Sequence, residues 1–234
     1  MNFQAKNLVF GMSERKDGSM ILRYPQLYIQ NLENRKKFFK KLDIELDQLV
    51  CANLVHGKNV AVISEKDSGE NIAETDGLVI NQKNLFLTAT FADCLPIFFY
   101  DEVKNAIGLA HAGWRGVLIN IAGEMIDKMV DAYNSKPEDI RIIIGPHLQK
   151  CHFEVKNDVV LQFEKYKEFV INKNNQKFID LLSIVKKQLG EKGVRLKMIE
   201  TSKVCTYEAE KKYFSFRRDK PRKVEAVVAY IGLT

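Results

Sequence analysis

The sequence is poor in cysteine, and its cysteines are far apart. Only 4 occur in 234 residues, and no two form a Cys-x-x-Cys pair. Structural zinc sites use closely spaced ligand pairs, and disulfide frameworks are typical of short secreted chains. Neither a zinc knuckle nor a disulfide scaffold is therefore expected, and the default role of each cysteine is that of a small buried apolar residue.

Long apolar runs are also missing. No stretch approaches the roughly 18 consecutive apolar residues that a membrane helix needs. The first residues contain no apolar run followed by a small-residue cleavage site, so no secretory signal is expected. These absences predict a cytoplasmic protein without a membrane partner.

Nucleotide-binding and nucleic-acid-binding motifs are likewise lacking. The sequence has neither Gly-x-Gly-x-x-Gly nor Gly-x-x-x-x-Gly-Lys-[Ser/Thr], which argues against a Rossmann or P-loop site. The net charge is +6, but basic residues are interleaved with acidic ones, as in Asn34–Asp43 and Asn157–Glu168. That pattern is typical of a solvated surface, so no nucleic-acid partner is expected.

The sequence does contain a mixture of strand and helix patterns. β-branched, aromatic or alternating runs predict strands at Leu54–Val55, Val60–Ile63, Leu85–Thr90, Leu95–Tyr100, Ala106–Ala110, Ile140–Ile144, Val194–Ile199 and Val224–Ile231. Apolar residues spaced by three or four predict helices over Val117–Tyr133, Phe178–Leu189, Val155–Tyr166 and Asn34–Leu42. Because there is no internal repeat, no linker and no strict βαβ alternation, we predict a single domain over residues 1–234. Its expected fold is an α/β sandwich, with a mixed β-sheet core flanked by helices.

The most informative segment is a hairpin pattern at Phe91–Gly116. Two apolar runs flank the polar turn Asp101–Asn105, which is centred near the midpoint of Cys94 and His111. In a hairpin without a bulge these two residues would be directly opposed, with Cβ atoms about 4.5–5.5 Å apart on one face. The thiolate and the imidazole could then share a metal ion or hydrogen-bond to each other.

His56, in the turn Val55–Asn59, is a third candidate ligand. One cysteine and two histidines form a ligand set found in catalytic zinc sites, where the fourth position is left for water. The residues therefore predict a single catalytic metal site, holding zinc, at His56, Cys94 and His111. Three alternatives stay open: a core cysteine and a surface histidine without metal, a binding module with a structural metal, and a metal-free pair in which Cys94 is a nucleophile and His111 its base.

The segment Gly113–Gly116 follows His111 and leads into a predicted helix. Glycines permit tight turns and close backbone approach, and a helix start offers free N–H groups to an anion. Arg115 has the planar guanidinium that suits a phosphate or a carboxylate. The alternative is an ordinary strand–turn–helix connection with Trp114 packed beneath it.

The order of these motifs resembles the YfiH-like, laccase-domain family, whose members carry the names polyphenol oxidase, purine nucleoside phosphorylase and peptidoglycan editing factor. The matching segments cover most of the chain and are Val55–Gly57, Thr75–Leu78, Ala92–Pro96, His111–Gly116, Ile144–Pro146, Phe153–Val155 and Phe214–Arg218. The sequence departs from the family's pattern at Ser13–Ser19, His147–Lys150 and Asp219–Arg222.

The resemblance implies a ligand set and a chemistry. The family's metal ligands fall on His56, Cys94 and His111, with zinc as the metal and copper as the alternative. The implied reactions are phosphorolysis of adenosine, guanosine, inosine and 5′-methylthioadenosine, and hydrolytic deamination of adenosine. Purine nucleosides and phosphate are then the small-molecule partners. The candidate anion-binding residues are Arg115, Arg35, Arg217 and Arg218.

Two other activities within the family are alternatives. Amide cleavage by a metal-independent Cys94–His111 pair would fit the editing of peptidoglycan precursors. A copper-dependent polyphenol oxidase is expected to be weak, because a multicopper cluster needs many histidines and this sequence has 4.

Overall fold

The computed structural model describes residues 7–234, and their secondary structure follows the apolar pattern of the sequence. Segments rich in β-branched and aromatic residues form largely buried strands, because such side chains pack well on a pleated surface. The strands are β1 (Leu8–Met12), β2 (Leu49–Ala52), β3 (Val60–Val62), β4 (Asn71–Ile72), β5 (Gly77–Ile80), β6 (Phe86–Phe91), β7 (Leu95–Asp101), β8 (Ala106–Ala112), β9 (Ile140–Ile144), β10 (Glu154–Val155), β11 (Val170–Lys173), β12 (Gln176–Ile179), β13 (Ile199–Thr201) and β14 (Val227–Leu233).

Helices connect and cover these strands. The α-helices are α1 (Tyr28–Lys40), α2 (Trp114–Leu118), α3 (Ile121–Tyr133), α4 (Asn157–Gln162), α5 (Leu181–Glu191) and α6 (Phe216–Asp219). Short 3-10 helices lie at Arg15–Asp17, Pro25–Leu27, Leu46–Gln48, Glu65–Asp67, Pro137–Asp139, Glu164–Phe169 and Leu196–Met198. Within residues 7–234, none of the helices combines the length and the apolar character that crossing a bilayer requires.

The strands form two large sheets and one small one. The five-stranded sheet has the order β1-β14-β6-β2-β4, the six-stranded sheet β13-β9-β7-β8-β5-β3, and the three-stranded sheet β10-β12-β11. Both large sheets are mixed: β2 is parallel to β6 and β3 is parallel to β5, whereas β7 and β8 form an antiparallel hairpin.

The core is layered because neighbouring residues of a strand point to opposite faces. Along β7, Phe98 packs into the core between the two large sheets, whereas Ile97 and Phe99 pack on the opposite side, against α3 and α5. Helix α1 packs on the outer face of the five-stranded sheet through Phe38 and Phe39. The order of layers is thus helix, sheet, sheet, helix, and the predicted α/β sandwich with a mixed β-sheet core flanked by helices is confirmed.

The predicted helix Val117–Tyr133 is wrong at its start. The chain instead forms α2 and α3, separated by Ile119 and Asn120. Asn120 has a left-handed φ of 66° and its side chain accepts the N–H of Gly123 at 3.1 Å, so it caps a new helix rather than continuing the old one. The periodicity of the apolar residues survives this break, which is why the sequence did not reveal it.

Two predicted strands are also wrong. Leu54–Val55 is an irregular segment, because the N–H of Val55 is bonded to a side-chain carboxylate rather than to a neighbouring strand. The pairing segment lies just before it, in β2. In Val194–Ile199, the N–H of Val194 completes the end of α5, and strand structure begins only at Ile199.

Other predicted boundaries move by a few residues or split. Phe178 belongs to β12, so the helix predicted over Phe178–Leu189 begins three residues later. The helix predicted over Val155–Tyr166 is divided between α4 and a 3-10 helix, and α1 begins before the predicted Asn34.

Candidate metal centre and its cavity

Asp76 organises the turn that carries His56. It precedes β5 and is fully buried. Its carboxylate accepts the backbone N–H groups of Val55, His56 and Gly57 at 3.1, 3.0 and 2.8 Å. His56 has a φ of 61°, a conformation that a non-glycine residue adopts only where its surroundings impose it. The three bonds to one carboxylate supply that constraint and fix the backbone from which the His56 side chain projects.

The same carboxylate orients His111. Nδ1 of His111 lies 2.9 Å from Oδ1 of Asp76, and both side chains are buried. A histidine that donates its Nδ1–H to a carboxylate has a fixed tautomer and leaves Nε2 free for a metal ion. Burial raises the pKa of Asp76, but the bonds from His111 and the turn amides outweigh it and hold the pKa below the ordinary 3.8.

Cys94 reaches the site from the start of β7. The predicted direct opposition of Cys94 and His111 is wrong by two residues, since Pro96 is the residue opposite His111. The physical reason is the turn: Asp101 continues β7 and accepts two turn N–H groups at 2.9 and 3.0 Å, so the turn Glu102–Asn105 lies further along the chain than predicted. A shift of two residues keeps side chains on the same face, and the thiol still meets the imidazole.

The side chains of His56, Cys94 and His111 converge. One ligand atom from each lies within 4.8 Å of the other two, and the two imidazole rings are perpendicular with centroids 4.9 Å apart. A Cβ atom at Gly113 would lie 2.9 Å from Cδ2 of His56 and 3.1 Å from Sγ of Cys94, so glycine is needed there. Two nitrogen donors and one sulfur donor around a common point are a set that suits zinc.

The three side chains are also coupled electrostatically. Burial raises the pKa of the Cys94 thiol, but the His111 imidazolium and hydrogen bonds from both histidines lower it to about 6. Burial lowers the pKa of His111, but the Cys94 thiolate and the Asp76 carboxylate raise it to about 9. In the metal-free site the thiol and the imidazole thus each favour the charged form of the other.

This group lies in the wall of a cavity of about 940 Å³. Cavities of roughly 300–1,000 Å³ are the usual size for small-molecule sites. Two exposed aromatic side chains, Tyr28 and Phe216, line the cavity, as does Trp114. The ligand set therefore opens onto a cavity of small-molecule size that is walled partly by aromatic rings.

Arg35 is the most deeply buried of the four predicted arginines. It projects from α1, lines the cavity and is only 6% exposed. Its guanidinium donates to the carbonyl of Met20 at 2.7 Å and to Sγ of Cys51 at 3.1 Å, and no carboxylate of residues 7–234 pairs with it. A buried cation without a counter-ion is costly, and an anionic ligand would offset that cost.

The other predicted arginines divide into two groups. Arg115 and Arg217 line the cavity with Arg35, whereas Arg218 does not. Arg115 is exposed and its guanidinium lies 4.3 Å from the centroid of the Trp114 ring. Arg218 is engaged elsewhere, because it donates to three backbone carbonyls and forms an ion pair with Asp219. The predicted substrate role of Arg218 therefore has no geometric support.

Asp76 is the site residue that sequence reasoning missed. It belongs to the segment Thr75–Leu78 that supports the family resemblance, but nothing in the spacing relates it to the hairpin. The available signal was an acidic residue at the start of an apolar strand, where a buried carboxylate needs donors. Asp93, beside Cys94, does not face the metal ligands: its carboxylate accepts Oγ1–H of Thr206 at 2.6 Å and the N–H of Arg217 at 2.7 Å.

Comparison with known proteins defines the class. The family model described as multi-copper polyphenol oxidoreductase laccase matches residues 30–233, and the chain belongs to that family. The resemblance inferred from the sequence motifs is thereby confirmed.

Individual proteins are similar to this chain over most of its length. The purine nucleoside phosphorylase YlmD of Bacillus subtilis is 31% identical over 214 residues, covering 86% of this chain and 77% of the relative. Purine nucleoside phosphorylase RP494 of Rickettsia prowazekii is 32% identical over 196 residues, covering 81% and 77%. The crystal structure of YlmD from Geobacillus stearothermophilus superposes with a TM-score of 0.91 at 28% identity, covering 97% of this chain and 92% of that one.

The family's description mentions several copper ions, and the residues do not fit such a cluster. The chain has 4 histidines, and only His56 and His111 belong to this site. The other two, His147 and His152, do not line the cavity. The donor set fits one metal ion at the cavity wall.

Proposed function

We propose that this protein is a zinc-dependent purine nucleoside enzyme. The proposed reactions are phosphorolysis of adenosine, guanosine, inosine and 5′-methylthioadenosine, and hydrolytic deamination of adenosine. The observation that carries the proposal is a Cys/His₂ donor set, oriented by a buried carboxylate, that opens into a nucleoside-sized cavity with arginines in its wall. Relatives at 31% and 32% identity, both named purine nucleoside phosphorylase, support the substrate class.

The metal would be held by Nε2 of His111, Sγ of Cys94 and an imidazole nitrogen of His56. Zinc, when bound, would supply Lewis acidity and lower the pKa of its water to about 7. The chain's own contribution is preorganisation: Asp76 fixes the ring of His111 and the backbone of His56, and Gly113 keeps the space between the donors open.

Phosphorolysis needs an anion site beside the ribose. A phosphate oxygen forms a bond to C1′ while the bond from C1′ to the purine nitrogen breaks. The electron pair of that bond leaves with the base, which takes up a proton, and the products are free purine and ribose 1-phosphate. The buried guanidinium of Arg35 is a preformed cation for the phosphate, and Arg115 and Arg217 are further candidates in the same wall.

Aromatic side chains at the cavity fit the base. Tyr28 is 44% exposed and Phe216 is 53% exposed, although both are large apolar residues. Stacking of a base on such a ring contributes about 1–3 kcal/mol. A purine stacked on either ring would bury surface that the ring leaves in water.

Deamination of adenosine makes different demands. Oxygen from water replaces the amino group at C6, and ammonia leaves. No phosphate takes part, so a variant that loses only the anion site should keep deamination and lose phosphorolysis. Loss of phosphorolysis with deamination retained therefore reports on the arginines, whereas loss of both reactions reports on the metal centre.

A metal-free cysteine hydrolase is the second candidate function. It is favoured by one observation, the Cys94 thiol beside an imidazole that Asp76 orients, and the same surroundings lower the pKa of the thiol. This arrangement of nucleophile, base and orienting carboxylate would suit amide cleavage, including the editing of peptidoglycan precursors.

The experiment is product analysis of nucleosides by chromatography. The zinc-loaded protein is incubated with adenosine or inosine, with and without phosphate. We expect free base and ribose 1-phosphate only with phosphate, and inosine from adenosine in both conditions. Arg35→Gln should reduce phosphorolysis more than deamination, whereas Arg195→Gln, which removes a charge that bonds to the carbonyl of Glu138, should change neither.

Metal removal separates the two candidates. If zinc removal abolishes turnover and zinc restores it, the cysteine hydrolase is rejected. If the stripped protein cleaves an amide substrate and alkylation of Cys94 stops it, the zinc proposal is rejected. Loading with copper and assaying a phenolic substrate tests the oxidase named in the family description.

A further inference from the structure

A second group of metal-ligand side chains lies outside the cavity. Cys151, His152 and Cys205 each place one ligand atom within 4.8 Å of the other two. None of them lines the cavity. Glu208 completes the group, because its Oε1 lies 3.9 Å from Sγ of Cys151 and 3.7 Å from Nδ1 of His152.

Two turns that are distant in sequence bring these side chains together. Cys151 and His152 follow β9, whereas Cys205 and Glu208 follow β13. The turns are joined by backbone contacts: Cys205 forms an isolated bridge with His147, whose carbonyl accepts the N–H of Thr206 at 3.0 Å. The positions of the ligands are thus fixed by the fold rather than by a short sequence motif.

The separations match the edges of a tetrahedron around zinc. Bonds of about 2.3 Å to sulfur and about 2.0–2.2 Å to nitrogen and oxygen place tetrahedral ligand atoms roughly 3.4–3.8 Å apart. Here Nδ1 of His152 lies 3.2 Å from Sγ of Cys151, 3.7 Å from Sγ of Cys205 and 3.7 Å from Oε1 of Glu208. The two sulfur atoms and the imidazole nitrogen therefore lie close enough to share one zinc ion, and the exposed Glu208 carboxylate, beside Cys151 and His152, is the fourth donor that a side-chain rotation brings to it.

We infer that Cys151, His152, Cys205 and Glu208 bind a second zinc ion. Two thiolates and an imidazole favour zinc over magnesium or calcium, which take oxygen ligands. Four protein ligands close the coordination shell, which is typical of a structural site rather than a catalytic one. Cys205 is only 3% exposed, whereas the Glu208 side chain is 63% exposed, so the ion enters from the solvent side.

This ion would tie together the segments behind one wall of the cavity. The carbonyl of His152 accepts a hydrogen bond from the Arg217 guanidinium at 3.0 Å, and Arg217 lines the cavity. The ring of His152 stacks on Tyr207 with centroids 4.1 Å apart, which holds the imidazole in place. Zinc at this point would stabilise the two turns against separation and would leave the catalytic ligands untouched.

The test is the zinc content of the purified full-length protein, measured by elemental analysis after dialysis against zinc and then against buffer. We expect two zinc ions per chain in the wild type and one in either Cys94→Ser or Cys151→Ser. The double variant should hold none. Cys51→Ser is the matched control, because Cys51 is a partly buried thiol outside both groups, and it should keep two.

This experiment tests zinc binding at the two sites independently. A wild type with one zinc that Cys151→Ser loses and Cys94→Ser retains would support the second site and reject the metal at the cavity. A wild type with one zinc that only Cys94→Ser loses would reject the second site. Cys151 and His152 are exposed or half-buried, so Cys151→Ser and His152→Gln are chosen over changes at buried Cys205.

Cobalt(II) gives an independent readout. In Cys94→Ser protein, added cobalt should produce thiolate-to-metal charge-transfer absorption with the intensity of two thiolates. Adding His152→Gln should weaken cobalt binding by more than the roughly 10–100-fold that is typical when a residue supporting a ligand is lost, because His152 is itself a ligand. Absence of this absorption, or a disulfide between Cys151 and Cys205 in peptide mapping of freshly purified protein, would overturn the proposal.

Discussion

Asp76→Asn is the substitution that probes the site most selectively. The Asp76 carboxylate serves four donors: Oδ1 accepts from the N–H of His56 and from Nδ1 of His111, and Oδ2 accepts from the N–H groups of Val55 and Gly57. Asparagine keeps the shape but offers one oxygen and one NH₂ group. Two of the four donors would then face another donor.

The expected size of the effect follows from that count. Each buried donor left without an acceptor costs about 1–3 kcal/mol, and the turn is open to water at the exposed His56, so we expect a loss of unfolding free energy of about 2 kcal/mol. Loss of the carboxylate that orients a ligand histidine typically costs about 10–100-fold in metal affinity. Zinc affinity should therefore fall by that factor in Asp76→Asn.

The assay combines chelator competition for zinc with urea unfolding. Asp101→Asn is the matched control, because Asp101 is also fully buried but both of its turn hydrogen bonds are accepted by Oδ1. Since no residue of 7–234 bonds to Oδ2, asparagine keeps both turn bonds and replaces one unpaired polar atom with another. Unchanged zinc affinity in Asp76→Asn, or an equal loss in Asp101→Asn, would refute the role given to Asp76.

The difference in stability between wild type and Asp76→Asn should change with pH in a direction that the pKa values determine. The folded-state pKa of Asp76 lies below the ordinary 3.8, so its contribution to stability is present above pH 3.8 and is lost as the pH falls through the folded pKa. The stability difference between wild type and Asp76→Asn should therefore shrink under strongly acidic conditions. Because the Asp76 carboxylate also helps to raise the pKa of His111 from 6.5 to about 9, the difference in metal-free protein should shrink again as the pH rises through that range. A difference that does not change at either end of the pH range would refute the coupling between Asp76 and His111.

Three further predictions test other parts of the site. Gly113→Ala should abolish tight zinc binding, because its Cβ would lie 2.9 Å from a ring atom of His56 and 3.1 Å from Sγ of Cys94. At Gly190 an added Cβ would meet no atom of residues 7–234 within 4 Å beyond its own helix, so Gly190→Ala should raise the unfolding free energy by up to about 1 kcal/mol. Calorimetry with and without zinc measures both effects. In metal-free protein, alkylation of Cys94 should have a pH midpoint near its pKa of about 6, whereas Cys151, with a pKa raised to about 11 chiefly by burial, should react only in alkaline solution; mass spectrometry of the alkylated peptides separates them. Arg115→Ala should raise the KM for phosphate with little effect on deamination, and equal loss of both activities would mean that Arg115 holds its loop instead.

The sequence predicted the layered fold well because apolar periodicity records which faces are buried. β7, β8 and β9 were predicted to within two residues at each end, since each is a largely apolar run bounded by turn residues. The missed break at Asn120 and the missed irregular segment at Val55 have another origin. Both depend on one side chain bonding to a backbone N–H, a contact that leaves no trace in periodicity.

The candidate site could be predicted from the sequence only in part. Cys94 and His111 could be paired from the hairpin, although the turn set a register two residues from the expected one. Asp76 could not be related to them, because its partners come from the fold. The same holds for the thiols of Cys151 and Cys205, which the sequence assigned to core packing although they lie together in space.

The most direct test of the central claim is a zinc titration of turnover. Metal-free wild type and Cys94→Ser protein are assayed with inosine and phosphate while zinc is added in steps. We expect wild-type activity to rise from zero and to be complete once the site at His56, Cys94 and His111 is filled, and Cys94→Ser to remain inactive throughout. Full phosphorolysis in the metal-free wild type, or zinc-dependent phosphorolysis in Cys94→Ser, would reject zinc catalysis at this site.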